Sequence, residues 1–217
     1  MRILVDGLDM SGKTTLVAAL IKTLEAREVP AVRHRGMLAE HHPVEPLLKR
    51  LPLVRQAESS AITAAFLVGG YALDGLLARL DPPLPAGAVI IQDGYADRTI
   101  AFGLAGGPYL AAVLSLWARR VFATFDVAVY LHAGPQVRRE RMQMRADVDA
   151  ADRRSVEDER FAARFNASLL HLVSRRHRTL LVFDTAEHTP EEIADQVLAA
   201  TGMPALQATG PAYGRTA

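Results

Sequence analysis

The chain has 217 residues, half of them apolar, and a formal net charge of +1 at pH 7. This length and apolar content suit one globular domain with a sizeable core and exclude a disordered chain. The near-neutral charge gives no electrostatic basis for binding nucleic acid or an acidic membrane surface. The sequence contains no cysteine, which excludes disulfides, thiolate metal sites and cysteine nucleophiles.

Nothing in the sequence predicts export or membrane insertion. The chain opens on a strand pattern rather than a signal peptide. Its apolar runs are shorter than the ~18 residues that a membrane-spanning helix needs. We therefore expect a cytoplasmic protein without a membrane or nucleic-acid partner.

Strand and helix patterns alternate along the chain, which predicts an α/β fold. The fold expected is a three-layer sandwich around a five-stranded parallel sheet, in a domain spanning residues 1–203 with a tail at 204–217. The predicted strands are 2–6, 31–35, 88–93, 126–131 and 180–183, and residues 37–55 predict a loop with one short helix. The predicted helices are 15–25, 60–80, 108–125, one beginning at Pro135, one behind a capping box at Ser155 and Asp158, and one beginning at Pro190.

Residues 7–14 read Gly-Leu-Asp-Met-Ser-Gly-Lys-Thr and match the spacing Gly-x-x-x-x-Gly-Lys-Ser/Thr of a phosphate-binding loop. A strand precedes this motif and a helix follows it, as the motif requires. The glycines allow the backbone to approach an anion closely, and the helix directs its positive end to the same place. We expect the nucleotide to be bound by Gly7, Ser11, Gly12, Lys13, Thr14 and Thr15, with Lys13 on the β- and γ-phosphates.

Asp93 follows the third predicted strand, where ligands bind in open α/β sheets. Together with the Thr14 hydroxyl, this carboxylate is the candidate ligand for the Mg²⁺ of a bound nucleotide. The alternative is an aspartate that opens a turn before Gly94. Farther along the chain, arginines at 138–154 predict a lid that supplies charge to the moving phosphoryl group, the alternative being a solvated helix face.

The chain resembles the thymidylate kinase family of P-loop nucleoside monophosphate kinases over most of residues 2–200. Asp9 matches an acidic residue in the family's phosphate loop, and Arg35 stands where the family has an arginine near the acceptor phosphate. The segment Asp93-Gly94-Tyr95 resembles the family's Asp-Arg-Tyr motif, and Ala101-Phe102 resembles the small-aromatic pair that follows it. Asp152-Arg153 resembles the Asp-Arg before the helix that closes the lid.

The resemblance implies a kinase that uses ATP and Mg²⁺, has a lid at about 138–155, and forms a homodimer. It also implies site roles for residues of this chain. Lys13, Asp9, Arg141 and Arg153 are the candidate catalytic residues, and Asp9, Arg35, Tyr71, Asp93, Tyr95 and Arg98 are the candidate contacts to the small-molecule phosphate acceptor.

Two departures from the family pattern fall on the acceptor side. The arginine of Asp-Arg-Tyr, which grips the acceptor phosphate in the family, is Gly94 here. The family's Asp-Arg-x-Gln on the long helix, which helps to bind thymine, is replaced by residues 70–73, Gly-Tyr-Ala-Leu. Arg98 lies four residues beyond Gly94 and is the candidate to reach the same anion. We therefore predict an acceptor other than dTMP.

Three other functions can be weighed against the nucleotide kinase. A GTPase needs an Asn-Lys-x-Asp motif, and the single asparagine of the chain, Asn166, does not form one. A nucleoside or other small-molecule kinase with an alcohol acceptor remains open on the same scaffold. A non-catalytic ATP-binding protein remains the third possibility.

Overall fold

The structure is a computed structural model that describes residues 1–39, 42–43, 61–80, 88–107 and 109–203, with side chains described from residue 67 in the 61–80 segment. Five strands are present in this part of the chain. They are β1 (Arg2–Gly7), β2 (Ala31–His34), β3 (Val89–Asp93), β4 (Val127–His132) and β5 (Thr179–Asp184). Most of the predicted loop at 37–55, namely residues 40, 41 and 44–55, and the predicted tail at 204–217 lie outside the described residues.

Eight helices are present in the same described ranges. They are α1 (Lys13–Glu25), α2 (Ala61–Leu80), α3 (Ala96–Ala105), α4 (Tyr109–Ala118), α5 (Pro135–Gln143), α6 (Ala150–Glu157), α7 (Glu159–Arg176) and α8 (Pro190–Ala200). No helix in these ranges combines the length and the apolar character needed to cross a membrane.

The five strands form one parallel sheet in the order β2-β3-β1-β4-β5. This confirms the α/β fold with a five-stranded parallel sheet. After β1 the chain passes to β2 at one edge of the sheet, whereas after β3 it passes to β4 on the other side of β1. Such a reversal opens a crevice at the C-terminal ends of the strands, which is where ligands bind in this architecture.

Two apolar layers cover the sheet, because strands of a buried parallel sheet are apolar on both faces. On one face, alternate side chains of β1 and β4 pack with α1 and α8. On the other face, the sheet packs with α2, α3, α4 and α7. The sheet is therefore held rigidly, and the loops at its C-terminal edge have a fixed base.

Helix starts with clear capping signals are where the sequence predicts them. Pro135 is the first residue of α5, and Thr189 forms a capping box with Glu192 at the start of α8. The expected capping box at Ser155 and Asp158 is wrong. Ser155 lies inside α6, whose own capping box joins Asp149 and Asp152.

Other helices also differ from the sequence prediction. The polar segment 146–154, expected as a loop, contains most of α6 because Asp149 and Asp152 satisfy its first backbone N–H groups. Asp158 instead caps the N-terminus of α7, where its carboxylate accepts from the backbone N–H of Phe161. Helix α3 was not expected, and α4 ends at Ala118 rather than at residue 125.

Candidate active site

The phosphate loop joins β1 to α1, and its shape requires glycine at both ends. A β-carbon at Gly7 would lie 2.4 Å from the carbonyl oxygen of Leu131 and 2.7 Å from Oγ of Ser11. Gly12 has φ +92° and precedes α1, and no described side chain caps that helix. The first N–H groups of α1 are therefore available to an anion.

Lys13 turns its ammonium group back onto the loop. Its Nζ donates to the carbonyl oxygens of Leu8 at 2.7 Å and Gly7 at 3.0 Å, and lies 3.5 Å from Oδ1 of Asp9. Burial lowers the pKa of Lys13 to about 8, and the nearby charge of Arg98 adds to this shift. The ammonium is thus still charged at pH 7 and is held beside the space that a phosphate would occupy.

A cavity of about 820 Å³ opens at the C-terminal edge of the sheet. The phosphate loop forms one part of its wall. The rest comes from side chains that follow the strands at both sides of the sheet and from the arginine-rich segment around α5 and α6. Its lining has five cationic side chains, four arginines and Lys13, beside four aspartates, so the cavity offers cations to an anionic ligand and carboxylates to a metal ion. The arginines and the other polar lining residues discussed below are Arg35, Arg98, Arg141, Arg145, Asp9, Lys13, Thr14, Thr15, Asp93, Asp152, Thr185 and His188.

Arg98 crosses from α3 to the phosphate loop. Its Nη2 lies 2.6 Å from Oδ1 of Asp9, and its Nη1 donates to the carbonyl oxygen of Gly7. Burial opposes ionisation of Asp9, but the charges of Arg98 and Lys13 outweigh burial and lower its pKa. The loop therefore carries a charged Asp9 whose partners come from two elements.

Asp93 and Thr14 line the same cavity, which is what the predicted magnesium site requires. The Asp93 carboxylate lies 2.7 Å from Nη2 of Arg33, which is exposed on β2. Within the described residues, no three His, Asp or Glu side chains cluster as a metal cage. Carboxylate and hydroxyl oxygens in this small number fit Mg²⁺, which completes its shell with water and nucleotide phosphates.

Arg141 joins the arginine-rich helix α5 to two loops of the cavity. It donates to the carbonyl oxygen of Met10 at 3.0 Å and to Thr185, whose Oγ1 and carbonyl oxygen lie at 2.8 and 2.9 Å. Arg145 pairs with Asp152 across the turn between α5 and α6. Arg138, in contrast, is buried and bonds to backbone carbonyls, so its role is structural.

The structure brings together most of the predicted site residues, but not all of them. Tyr71 bonds to Thr99 and packs edge-on against Tyr95, and Tyr95 is 2% exposed and donates to Asp74. Both tyrosines belong to the core layer rather than to the cavity lining, and Arg153 is exposed outside that lining. Ligand contacts from these three residues remain predictions. Gly7 and Ser11 are buried in the loop itself, and the predicted residues that line the cavity are Asp9, Gly12, Lys13, Thr14, Thr15, Arg35, Asp93, Arg98 and Arg141.

Three cavity or near-cavity residues were missed by reasoning from the sequence. Thr185 directly follows β5, so its position after a predicted strand was a usable signal. His188 packs on Phe183 near the same loop, and nothing in the sequence marks it. Asp6 is buried at the end of β1 beside Arg98, where it resembles an ordinary strand residue.

A glycine-bounded anion loop at the switch point of a parallel sheet, with its lysine and converging arginines, defines a P-loop phosphotransferase. The chain belongs to the thymidylate kinase family, whose model matches residues 5–197. It is therefore an ATP-dependent kinase of the thymidylate kinase type.

Individual relatives agree with this assignment. The chain is 31% identical to a thymidylate kinase of Thiobacillus denitrificans over 182 residues, which are 81% of this chain and 84% of the relative. It is 27% identical to a thymidylate kinase of Bacillus cereus strain B4264 over 202 residues, covering 89% and 93% of the two chains. The solved thymidylate kinase of Candida albicans shares the fold, with a TM-score of 0.62 and 16% identity over 93% of this chain and 90% of that chain.

Proposed function

We propose that the protein transfers the γ-phosphoryl group of ATP to the phosphate of a nucleoside monophosphate. The carrying observation is that the cavity has arginines on both sides of the phosphate loop, with Arg35 and Arg98 on one side and Arg141 and Arg145 on the other. Two anionic ligands that meet at one loop need cations at both ends. The relatives named thymidylate kinase support a monophosphate acceptor.

On the donor side, the residues of the loop bind and orient the triphosphate. The backbone amides and Lys13 hold its phosphate oxygens, and Arg141 holds charge at the far side. Mg²⁺ would be held by Thr14 and Asp93, where it neutralises phosphate charge. Residues 138–155 form the proposed lid, since α5 brings Arg141 and the turn after it brings Arg145 to the cavity, and a lid that closes there would exclude water.

On the acceptor side, we propose a base other than thymine. Among the described side chains of α2, residues 67–80, the only cation is Arg79. Arg79 follows Ala78, whose carbonyl oxygen accepts a hydrogen bond from Arg2 at the start of β1. Arg79 therefore lies near the N-terminal ends of the strands, whereas the cavity lies at their C-terminal ends. This stretch therefore supplies no guanidinium to the acceptor, and a bidentate guanidinium is not replaced by Tyr71 or Leu73.

The second candidate is dTMP itself, which the names of the relatives favour. A panel of acceptors with Mg·ATP separates the two, using dTMP, other pyrimidine and purine monophosphates, and the matching nucleosides. We expect turnover of a monophosphate, with kcat/KM for the best one exceeding that for dTMP by about tenfold or more. Robust turnover of dTMP at an ordinary KM would select the second candidate. Turnover of nucleosides alone would indicate an alcohol acceptor, and ATP binding without any turnover would indicate a non-catalytic protein.

We also propose that the protein is a homodimer, and the cytoplasmic location stays a prediction beside it. Helices α2 and α4 pack side by side, and each presents large apolar side chains to solvent. Large apolar side chains exposed together on two packed helices are typical of an interface, and a two-fold dimer uses the same surface of both copies. The exposed apolar residues of the surface are Leu76, Leu80, Tyr109, Leu110, Val113, Leu114 and Trp117.

Replacing Trp117 with glutamate is expected to weaken the dimer at least about tenfold, because the contact would lose its largest exposed aromatic side chain and bury a charge instead. Trp117 is 86% exposed and is the single tryptophan of the chain, so the same residue reports assembly by fluorescence. Light scattering across a dilution series measures the dissociation constant. The control is Val182→Glu, which puts a charge on the exposed face of β5 instead. A wild-type protein that stays monomeric at high concentration would contradict the proposal.

A further inference from the structure

Asp6 is a buried carboxylate at the end of β1 that none of the roles above uses. It is 2% exposed, and its Oδ1 accepts from the backbone N–H of Gly7 at 2.8 Å. The same oxygen lies 3.5 Å from Nη1 of Arg98. Its other oxygen, Oδ2, is buried and has no hydrogen-bond partner among the described residues. A buried carboxylate held this way is costly and therefore calls for a role.

Arg98 is enclosed from several directions, with a carboxylate on each side. Asp9 lies on the cavity side, 2.6 Å from Nη2, and Asp6 lies on the sheet side. The guanidinium also lies over the ring of Phe165, 5.3 Å from its centroid. Its stem passes over Gly94, where a β-carbon would lie 3.3 Å from Cδ of Arg98. These contacts hold the side chain on its course from α3 to the cavity.

The two carboxylates differ in their access to a ligand. Asp9 lines the cavity and its side chain is 22% exposed, whereas Asp6 is absent from the lining. An anion that enters the cavity competes with Asp9 for the guanidinium, because both approach from the same side. Asp6 keeps its contact behind the guanidinium during that exchange. A neutral hydroxyl acceptor has no charge with which to displace Asp9.

We propose that Asp6 is a positioning residue that anchors Arg98 while Asp9 yields it to the acceptor, so that the site selects a phosphate-monoester dianion over a neutral alcohol. This inference rests on the proposed function and names its acceptor chemistry. Asp6 acts through Arg98 and touches no reacting atom. Without it, Arg98 keeps its charge and its hydrogen bond to the Gly7 carbonyl oxygen but loses the carboxylate behind the guanidinium that helps to hold it towards the acceptor.

The test is Asp6→Asn, which keeps an oxygen for the Gly7 N–H and removes the charge. The variant should fold, because asparagine has nearly the size of aspartate and keeps the hydrogen bond from the Gly7 N–H. We expect KM for the monophosphate to rise about tenfold, with KM for ATP and kcat changed less than about twofold. The matched control is Asp126→Asn, since the Asp126 carboxylate also accepts a backbone N–H, from Arg2 at 2.8 Å, at the opposite edge of the sheet.

The outcomes separate this inference from the proposed function. If the wild type turns over a monophosphate and Asp6→Asn leaves its KM unchanged, or raises both KM values equally, the anchoring role is overturned and the function stands. Calorimetry with the monophosphate alone gives a second measurement, in which the variant should bind about tenfold more weakly. A wild type that phosphorylates only nucleosides, or that neither binds nor turns over any monophosphate, overturns both proposals.

Discussion

Replacing Lys13 with alanine is expected to lower kcat by about three orders of magnitude or more, the scale on which fixed cations act in phosphoryl transfer. The ammonium lies inside the phosphate loop, and no other described lysine lines the cavity. Arg98 contacts Asp9 and the Gly7 carbonyl oxygen on the acceptor side of the loop, so it does not replace the Lys13 ammonium at the β- and γ-phosphates. Steady-state kinetics with saturating Mg·ATP and the best monophosphate measure the effect.

The control is Lys22→Ala, which removes the same kind of side chain from an exposed position on the same helix α1. Both variants should unfold at nearly the wild-type temperature, because Lys13 is a buried cation whose burial lowers its pKa. That pKa of about 8 gives a second readout. Wild-type affinity for ATP should fall as pH rises past about 8, where the ammonium loses its proton, and the Lys13→Ala variant should lack this fall. Substantial turnover by folded Lys13→Ala would reject the phosphate loop as the site.

The parts of the fold with local signals could be predicted from the sequence. Pro135 and the Thr189–Glu192 capping box mark helix starts directly, since their geometry is set within one turn. Helix α3 lacks such a signal, because Tyr95 precedes it without a side-chain cap. Gly103 inside it also lowers helix propensity. Tertiary packing, mainly against α7, holds α3 instead.

In the site, as in the fold, some residues are predicted from a local motif and others come together only through contacts between distant parts of the chain. Lys13 and Thr14 are fixed by one contiguous motif, whereas the contact between Asp9 and Arg98 joins residues 89 positions apart. Gly94 shows what distant information adds. In the sequence, Gly94 is the position at which the family's arginine is absent. In the structure, a β-carbon at Gly94 would lie against the Arg98 side chain, and the φ of +71° favours glycine. The guanidinium of this chain therefore reaches the loop from one turn farther along α3.

Replacing Arg98 with alanine is expected to lower kcat/KM for the monophosphate by about two orders of magnitude, with a much smaller change in KM for ATP. Removing the guanidinium deletes a cation on the acceptor side and leaves the Asp9 carboxylate, which lines the cavity, facing the incoming dianion without its closest partner. Repulsion between Asp9 and the acceptor phosphate then adds to the loss of the attraction by Arg98. Initial rates with each substrate varied in turn separate the two KM values.

Two further variants decide whether position or charge matters at residue 98. Arg98→Lys keeps the charge but has one ammonium in place of a planar fork, so it cannot serve Gly7 and Asp9 together as Nη1 and Nη2 do. It should recover no more than about a tenth of wild-type kcat/KM for the monophosphate. Arg164→Ala removes an exposed arginine from α7, beside Phe165, and should leave both KM values unchanged. If Arg98→Ala and Arg164→Ala behave alike, Arg98 does not bind the acceptor, and Arg35 becomes the acceptor-side arginine that the cavity still offers.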